Sequence, residues 1–295
     1  RIISINHYDC RRETLENASQ IEFWNAKQGK KWRENQQSLD TLLGGVSTKL
    51  LEICEIGANM NILDIGCGTG ALALELSDRL DGDGTVTAVD VSTPLLDTAQ
   101  QRAIGNNRTN ISFLLADAQT HNFSPQSADL MISRFGVMFF EDPAAAFANI
   151  LSAMQPGAPM IFAAWSHLED NPWFKIPRDA AVKQLGKPDP APATAPGPTA
   201  FADLKHVGNI MRIAKINHVE SKLENIPLVV NGNATVAASL ACSIGPVTRI
   251  AKAKGASEED LQIIEAQVYE KLKPYENGGQ VVIPSHINFF TCRGS

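Results

Sequence analysis

A cluster of glycines in the first third of the chain is the part of the sequence best suited to hold a ligand. In the segment 61–70 (NILDIGCGTG), Gly66, Gly68 and Gly70 follow an apolar run that ends at Ile65. Glycine adopts positive φ without strain and lets a ligand approach the backbone with no Cβ in between. An apolar helical pattern, ALALELSDRL, follows at once, and its free N–H groups point to the same place. The spacing therefore predicts a strand, a tight turn and a helix that together cradle a nucleotide-like cofactor.

Two cofactors fit such a turn. Gly66-x-Gly68-x-x-Ala71 satisfies the dinucleotide fingerprint, so NAD is one of them. Asp64, two residues before the first glycine, favours the other. Its carboxylate would repel a pyrophosphate, whereas S-adenosylmethionine has no phosphate and carries an ammonium and a sulfonium group. We therefore expect S-adenosylmethionine to bind here. The predicted cofactor-binding residues of the turn are Asp64, Gly66, Cys67, Gly68 and Gly70.

The stretch ILDIGCGTG resembles motif I of the class I S-adenosylmethionine-dependent methyltransferases. The resemblance extends over roughly residues 20–165, through FWN…W…LD…LL and SADLMISRFGVMFF to the PG before the fifth strand. It is closest in style to a bacterial group of quinone-type C-methyltransferases and small-molecule methyltransferases. It implies an α/β fold, with a doubly wound, Rossmann-like seven-stranded sheet whose last strand is antiparallel. It also implies methyl transfer to a small or medium-sized metabolite.

Acidic residues end the next two predicted strands. TVTAVD ends in Asp90, which is placed to accept two hydrogen bonds from a ribose diol. NAD enzymes use the same device, so Asp90 does not separate the two cofactors. Val91 and Ser92 follow where adenine would lie, and Ser92 is also a predicted helix cap. The third strand, NISFLLAD, leads to Asp117 and Ala118. The resemblance implies that this acid reaches the adenine amino group.

The fourth predicted strand, 128–133, runs into a loop that begins with Arg134 and Phe135. On the resemblance, both are further predicted cofactor-binding residues. A helix, a Pro-Gly stop and a fifth strand ending at Trp165 follow. One feature departs from the family pattern: the usual acid after the third strand is replaced by HNFS at 121–124. No catalytic residue is therefore assigned, and none of the six histidines is named as a base.

The segment 20–56 reads as two or three helices, with a predicted break at Gly44 and Gly45. Trp24 and Trp32 are eight residues apart and can share one helical face. They either pack in the core or cap the cofactor, where an indole face attracts a sulfonium by cation–π interaction. Trp32 is counted among the predicted cofactor-binding residues. The basic residues around it predict a solvated helix face, although one of them could meet the cofactor carboxylate: Lys30, Lys31 and Arg33.

Beyond Trp165 the patterns are weaker. A helix is predicted within 171–187, and then five prolines lie between Pro188 and Pro198, as in an extended linker or flap. A strand bent at Pro227 is predicted for 214–230, helices for 233–244 and 257–272, and a closing strand for 278–292 with Pro284 at an edge or bulge. About fifty residues are thus inserted between the last two strands. In the family, insertions there form a wall or lid of the substrate site.

These elements predict four parts of the chain. They are an N-terminal helical cap (1–60), a cofactor-binding core (61–170), a substrate-side insertion or lid with a late strand (171–280) and the closing strand of the core sheet (281–295).

Composition limits the class of protein. The chain of 295 residues is 44% hydrophobic and 20% charged, as in ordinary globular proteins, and it has no apolar run of membrane-spanning length. Its start lacks the apolar core of a secretory signal. The net charge of −6 argues against a nucleic-acid partner. The scattered cysteines (Cys10, Cys54, Cys67, Cys242 and Cys292) indicate reduced thiols in a cytoplasmic protein without structural zinc.

Three alternatives stay open beside the small-molecule methyltransferase. One is a methyltransferase acting on protein or RNA, another is a non-catalytic protein that binds S-adenosylmethionine, and the third is an NAD-dependent oxidoreductase. The acceptor atom, the oligomeric state and the role of the proline-rich segment are not encoded in any recognisable pattern.

Overall fold

Three helices precede the sheet in the computed structural model, which describes residues 17–190, 192 and 194–294. They are α1 (Ala18–Asn25), α2 (Lys27–Glu34) and α3 (Gln36–Ile53). The predicted break at Gly44 and Gly45 is wrong, because α3 runs through both glycines. A Cβ on Gly45 would lie 3.0 Å from Cγ2 of Ile226, so this glycine permits close packing of the helix against a later segment.

The central sheet has seven strands in the order β3-β2-β1-β4-β5-β10-β6. Its first five strands are parallel, and β10 pairs antiparallel with both β5 and β6. This confirms the predicted doubly wound sheet with an antiparallel last strand. The strands are β1 (Asn61–Ile65), β2 (Thr85–Asp90), β3 (Ile111–Leu115), β4 (Leu130–Arg134), β5 (Pro159–Trp165), β6 (Ile216–Asn225) and β10 (His286–Gly294).

Helices connect the strands and cover both faces of the sheet, because each parallel connection must cross over it. They are α4 (Ala71–Ser77), α5 (Thr93–Gly105), α6 (Pro143–Ala153), α7 (Pro172–Leu185) and α8 (Leu204–Ile213). The interior of β1 illustrates the burial: Ile62 and Ile65 are almost fully buried, as a strand covered on both faces requires. No sequence pattern predicted α8.

The inserted segment lies between β6 and β10. It contains α9 (Ala234–Ile244), α10 (Pro246–Lys254), α11 (Glu258–Leu272) and a second sheet of β7 (Leu228–Asn231), β8 (Glu276–Asn277) and β9 (Gln280–Ile283). The helices pack on one another and on α7, and β7 packs against α3. The capped start predicted for α11 is confirmed: Ser257 and Asp260 exchange side-chain and backbone hydrogen bonds in a capping box.

Two predicted strands are each divided in the structure. The strand predicted for 214–230 becomes β6 and β7, and the strand predicted for 278–292 becomes β9 and β10. The prolines at 227 and 284 lie at the two breaks, where the chain leaves the large sheet and returns to it. Residues 281–283 therefore belong to the small sheet and not to the closing strand. A proline has no backbone N–H to donate to a neighbouring strand, so strand pairing readily ends at this residue.

The proline-rich segment is described in part. Its described end lies against the core, since the N–H of Gly197 donates to the carbonyl of Met138 and Phe201 is 1% exposed. Within the described residues no single helix is long and apolar enough to cross a membrane; α9 and α10 reach that length only as a pair bent by 57°.

Candidate functional site at the carboxyl edge of the sheet

The glycine turn after β1 uses its three glycines for different reasons. Gly66, Gly68 and Gly70 all have positive φ, at 70°, 55° and 79°. A Cβ on Gly66 would lie 2.6 Å from Cα of Gly136, and one on Gly70 would lie 2.9 Å from Cβ of Ala99. A Cβ on Gly68 would meet nothing within 4 Å. Gly66 and Gly70 therefore serve the fold, and Gly68 borders the open space that a ligand needs.

Asp90, at the end of β2, holds the turn from one side. Its Oδ2 accepts the N–H of Gly68 over 2.8 Å, and its Oδ1 accepts the N–H of Ser92 over 2.9 Å. Burial raises the pKa of Asp90, and the backbone hydrogen bonds oppose that rise. Each carboxylate oxygen has two lone pairs, so both can still accept a bond from a ligand.

Val91 and Ser92 are covered by the first helix. Asn25 donates to the carbonyl of Val91 over 2.8 Å and accepts the N–H of Thr93 over 3.0 Å. The Ser92 hydroxyl donates to the carbonyl of Trp24 over 2.9 Å. Ser92 occupies the N-cap position of α5 but makes no side-chain cap, which corrects the predicted cap. The hydroxyl instead joins the core to the N-terminal helices.

Asp117 lies after β3 and is buried. Its Oδ1 accepts the N–H of Gln119 over 2.9 Å and the side-chain amide of Asn17 over 3.0 Å. Ala118 beside it is also buried, and its carbonyl accepts from Asn149. Asn17 was not predicted, since it lies 100 positions from its partner.

Asp64 is the least satisfied polar group in this region. It is 1% exposed, and its Oδ2 has no hydrogen-bond donor among the described residues. Burial raises the pKa of Asp64 to about 7; the Arg134 guanidinium opposes that rise and the Asp90 carboxylate adds to it. Arg134 itself donates to the hydroxyl of Ser47 over 2.7 Å. Because Asp64 is not neutralised by a hydrogen-bonded partner, a cationic group beside it would be favourable.

Asp64 borders a cavity of about 40 Å³ above the glycine turn. The cavity is lined by Trp32, Leu39, Asp40, Leu43, Asp64, Gly66, Cys67, Gly68, Thr69, Leu72 and Arg134. Trp32 contributes a second unsatisfied atom, because its buried Nε1 has no acceptor among the described residues. The structure thus brings together an orphan acceptor and an orphan donor around one small cavity.

The two N-terminal tryptophans meet although they do not share a helix. The helix breaks at Ala26 between α1 and α2, so the predicted continuous face is wrong. The indoles of Trp24 and Trp32 still contact each other edge to face, with ring centres 5.6 Å apart, and Trp24 contacts Phe139 in the same way at 5.1 Å. This aromatic cluster joins the N-terminal helices to the loop that follows β4.

The basic residues around Trp32 do not all lie on a solvent-exposed helix face. Lys31 is half-buried and donates to the carbonyl of Ser243, at the end of α9, over 3.0 Å. This corrects the prediction of a wholly solvated face. Lys30 pairs with Glu34 at 3.7 Å on the surface. Neither lysine lines the cavity.

Phe135 directly follows β4 and does not line the cavity. It is a buried non-glycine residue with a φ of 66°, a strained conformation that is often found at functional sites. Its ring stacks on Trp165, with centres 4.4 Å apart and planes 4° from parallel. Trp165 also contacts Phe174 edge to face.

Sequence reasoning missed Asp40 and Arg102. Arg102 forms an ion pair with Asp40 over 2.6 Å and donates to the carbonyl of Thr69 over 2.7 Å. This pair ties α3 to the glycine turn. Asp40 is the acid in the LD of the N-terminal pattern FWN…W…LD…LL. That pattern is the signal in the sequence that could have identified Asp40.

Cys67, the cysteine among the described residues that line the cavity, is poorly suited to act as a nucleophile. Burial, with the nearby carboxylates of Asp90 and Asp64, raises the pKa of the Cys67 thiol well above its usual value, so the thiol stays protonated. Cys54, Cys242 and Cys292 are also free thiols, and Cys10 lies outside the described residues. Within the described part of the chain, no group of three or more His, Cys, Asp or Glu residues could hold a metal ion.

Residues 62–157 match a family model described as a methyltransferase domain. Aklanonic acid methyltransferase DauC of Streptomyces sp. (strain C5) is 28% identical over 116 residues, which cover 39% of this chain and 53% of that protein. Demethylmenaquinone methyltransferase of Lactiplantibacillus plantarum is 30% identical over 121 residues, which cover 41% of this chain and 51% of that protein. The chain thus spans about half the length of these two relatives.

A likeness in fold covers more of the chain. The solved structure of Haemonchus contortus phosphoethanolamine N-methyltransferase 2 in complex with S-adenosyl-L-methionine matches with a TM-score of 0.57. The match covers 97% of this chain and 61% of that one, at 16% identity. The matched methyltransferase domain runs from β1 to α6 and carries the glycine turn within a sheet of this strand order. The segment 62–157 is therefore similar to a methyltransferase domain, and the chain shares the fold of a methyltransferase solved with S-adenosyl-L-methionine, which supports S-adenosylmethionine as the cofactor.

Proposed function

We propose that this chain transfers a methyl group from S-adenosylmethionine to a small or medium-sized metabolite by in-line displacement. The observation that carries the proposal is Asp64, a fully buried acid at the glycine turn whose Oδ2 has no donor among the described residues. The negative charge of the Asp64 carboxylate would repel a pyrophosphate at this turn, whereas a cationic ligand group would neutralise that charge. The open space at Gly68 fits the same ligand.

The residues that would hold the cofactor follow from their places in the sheet. Asp90 is positioned for the ribose diol, because its carboxylate is fixed by two backbone N–H groups and has lone pairs left. Asp117 and Ala118 would contact adenine, with Val91 and Ser92 on the facing wall. When bound, the cofactor supplies an electrophilic methyl group on a sulfonium. The full proposed set is Trp32, Asp64, Gly66, Cys67, Gly68, Gly70, Asp90, Val91, Ser92, Asp117, Ala118, Arg134 and Phe135.

The task left to the rest of the chain is to hold an acceptor in line and to exclude water. Aromatic side chains gather at the appropriate edge of the sheet: Phe135 stacked on Trp165, and Trp24 against Phe139. Their surfaces suit a planar or apolar acceptor. Among the described residues no histidine lines the cavity, and no general base is proposed.

A small organic acceptor is favoured over a macromolecule by two observations. The net charge of −6 does not suit RNA, whose phosphates bind basic surfaces. The names of two relatives refer to small organic substrates, aklanonic acid and demethylmenaquinone. A protein or RNA acceptor is the alternative within the same chemistry.

The segments around the site fit the role of lids. The N-terminal helices contact the ends of β2 and β3 through Asn25 and Asn17, and α2 contacts the inserted helix α9 through Lys31. We assign the helices before residue 61 and the segment 171–280 to covering the core at 61–170. A cytoplasmic location belongs to the same proposal and rests on the free thiols.

Calorimetry and a turnover assay test this function. We expect micromolar or tighter binding of S-adenosylmethionine and S-adenosylhomocysteine and no binding of NAD. A library of phenols, quinones, carboxylic acids and amines, scored by mass spectrometry for a methyl gain, would then find the acceptor class. NAD binding without a response to S-adenosylmethionine would overturn the proposal. Cofactor binding without turnover on small molecules, proteins or RNA would leave a binding protein only.

A further inference from the structure

The cavity above the glycine turn combines groups of opposite character. Trp32 can only donate through its indole N–H, and the Asp64 carboxylate can only accept. Both atoms are buried and neither has a partner within the described residues. Leaving such atoms unsatisfied costs free energy, so each indicates a ligand atom that the structure lacks.

The two unsatisfied atoms, Nε1 of Trp32 and Oδ2 of Asp64, would bind different ligand groups. A donor needs an anionic or neutral acceptor, and a buried carboxylate needs a cation or another donor. An α-amino-acid group supplies both, since its carboxylate and ammonium lie on one carbon. Arg134 also lines the cavity, and its guanidinium adds a positive charge that attracts a carboxylate.

Trp32 differs from the other described residues that line the cavity because it lies before α3, on the short helix α2. It contacts Trp24, which in turn contacts Phe139 across the site. A bond from a ligand to its indole would therefore draw the N-terminal helices over the core. The cavity of about 40 Å³ has room for water only, so these helices must move outward to admit a ligand and then return.

We propose that Trp32 is a specificity-determining residue whose indole N–H binds the carboxylate of the cofactor's amino-acid end, opposite Asp64. The N-terminal helices then close fully only on a ligand that carries this carboxylate. The inference rests on the proposed function, because it presumes that S-adenosylmethionine occupies the glycine turn. It assigns to the indole of Trp32 the role of hydrogen-bond donor in place of a cation–π contact to the sulfonium.

A comparison of two ligands on two proteins tests this role. S-adenosylmethionine and decarboxylated S-adenosylmethionine differ only in the carboxylate, and Trp32→Phe removes the N–H while it keeps an aromatic ring. We expect Trp32→Phe to weaken S-adenosylmethionine binding about tenfold and decarboxylated S-adenosylmethionine binding less than twofold, by calorimetry. Trp173→Phe is the matched control: it removes an indole N–H on α7, and Trp173 does not line the cavity. It should leave both affinities within twofold of the parent.

Hydrogen exchange gives a second readout. S-adenosylmethionine should slow exchange in residues 17–34 of the parent protein, and the decarboxylated ligand should slow it much less. Equal weakening of both ligands by Trp32→Phe, or equal protection by both, would overturn the assignment and mean that water fills the cavity. If the parent protein binds neither S-adenosylmethionine nor S-adenosylhomocysteine, the proposed function fails instead, so the two failures are distinguishable.

Discussion

The backbone N–H of Gly68 donates a hydrogen bond to Oδ2 of Asp90 over 2.8 Å. This bond joins the glycine turn after β1 to the end of β2, two places that are proposed to contact the cofactor. In that proposal Asp90 acts on a ligand in two ways. It presents an acceptor, and it fixes the backbone conformation of the residue that faces the open space.

Asp90→Ala should weaken cofactor binding and loosen the turn together. The substitution leaves the N–H groups of Gly68 and Ser92 without their acceptor and removes the partner proposed for the ribose diol. We expect a loss of about 2–4 kcal/mol in affinity for S-adenosylhomocysteine and about 1–3 kcal/mol in the free energy of unfolding. Asp90→Asn keeps one acceptor and should lose less of both. Asp83→Ala, at an exposed acid in the turn before β2, controls for the change in net charge. An Asp90→Ala protein that folds and binds like the parent would refute the role.

Gly68→Val should abolish cofactor binding while thermal unfolding stays cooperative. Valine at a φ of 55° is strained, and its side chain would enter the space left for the ligand. Gly157→Val isolates the strain, because Gly157 has a φ of 75°, is exposed and also has nothing within 4 Å of its Cβ position. Both variants should lose similar stability, but only Gly68→Val should lose binding. Retained binding in Gly68→Val would mean that the ligand does not lie at this turn.

The titration of Asp64 should make stability depend on pH in an unusual direction. Burial raises its pKa from 3.8 to about 7, so between these values the folded protein holds a proton that the unfolded chain has lost. The free energy of unfolding therefore falls as the pH rises from about 4 to about 7, and this contribution is constant above the folded pKa. Asp64→Asn removes the titration. The parent should lose roughly 2–4 kcal/mol relative to Asp64→Asn across this range in denaturant titrations. A difference between the two proteins that does not change with pH would contradict the burial of an ionisable acid.

A cofactor whose ammonium faces Asp64 should release the proton of this acid. Binding of S-adenosylhomocysteine should therefore strengthen from pH 5.5 to pH 8, by up to about tenfold per unit where Asp64 is protonated. Calorimetry in buffers of different ionisation enthalpy would measure the released proton directly. Asp64→Asn should bind more weakly at pH 8 and show little dependence on pH. Proton release of the same size in Asp64→Asn would assign it to another group.

Lys31→Met should loosen the contact between the N-terminal helices and the inserted segment. The Lys31 ammonium donates to the carbonyl of Ser243, where the end of α9 carries partial negative charge. We expect faster hydrogen exchange in residues 17–34 and a two- to fivefold weaker affinity for S-adenosylmethionine. Lys30→Met is the matched control, since the Lys30 side chain is 64% exposed and its pair with Glu34 is a surface contact of little energy. If the two variants behave alike, the Lys31 contact does not hold the helices in place.

Local pattern encodes the cofactor half of this protein well. The alternation of apolar strands, glycine or polar turns and amphipathic helices fixes the order of β1 to β5, because each element is decided by residues within about ten positions of one another. The acid at the end of β2 and the pair after β3 are found in the same way, since the ends of parallel strands share one edge. The inserted segment before the last strand was also visible, as a stretch of helical pattern between two strands.

Contacts between distant segments were not visible in the sequence. Gly44 and Gly45 read as a helix break, but Gly45 serves a close approach to Ile226, which only the packing of α3 against the insertion creates. The sequence predicts a bend at Pro227 and an edge or bulge position for Pro284, each within a single strand, although each proline separates two sheets. A proline within a strand pattern looks the same in the sequence whether the strand bends or is divided between two sheets. The strands that pair with the segments on either side of the proline decide which of the two occurs.

The functional site likewise combines features that are visible in the sequence with features that only the fold creates. Sequence by itself determined that an acid precedes the glycine turn, that another follows β2 and that two tryptophans lie in the N-terminal helices. Only the tertiary structure decided that Asp64 lacks a donor, that Trp32 lacks an acceptor and that both border one cavity. Whether a polar atom is satisfied depends on which groups surround it in space, and those groups come from α2, β1 and β4, segments that hydrophobic burial brings together irrespective of their separation along the chain.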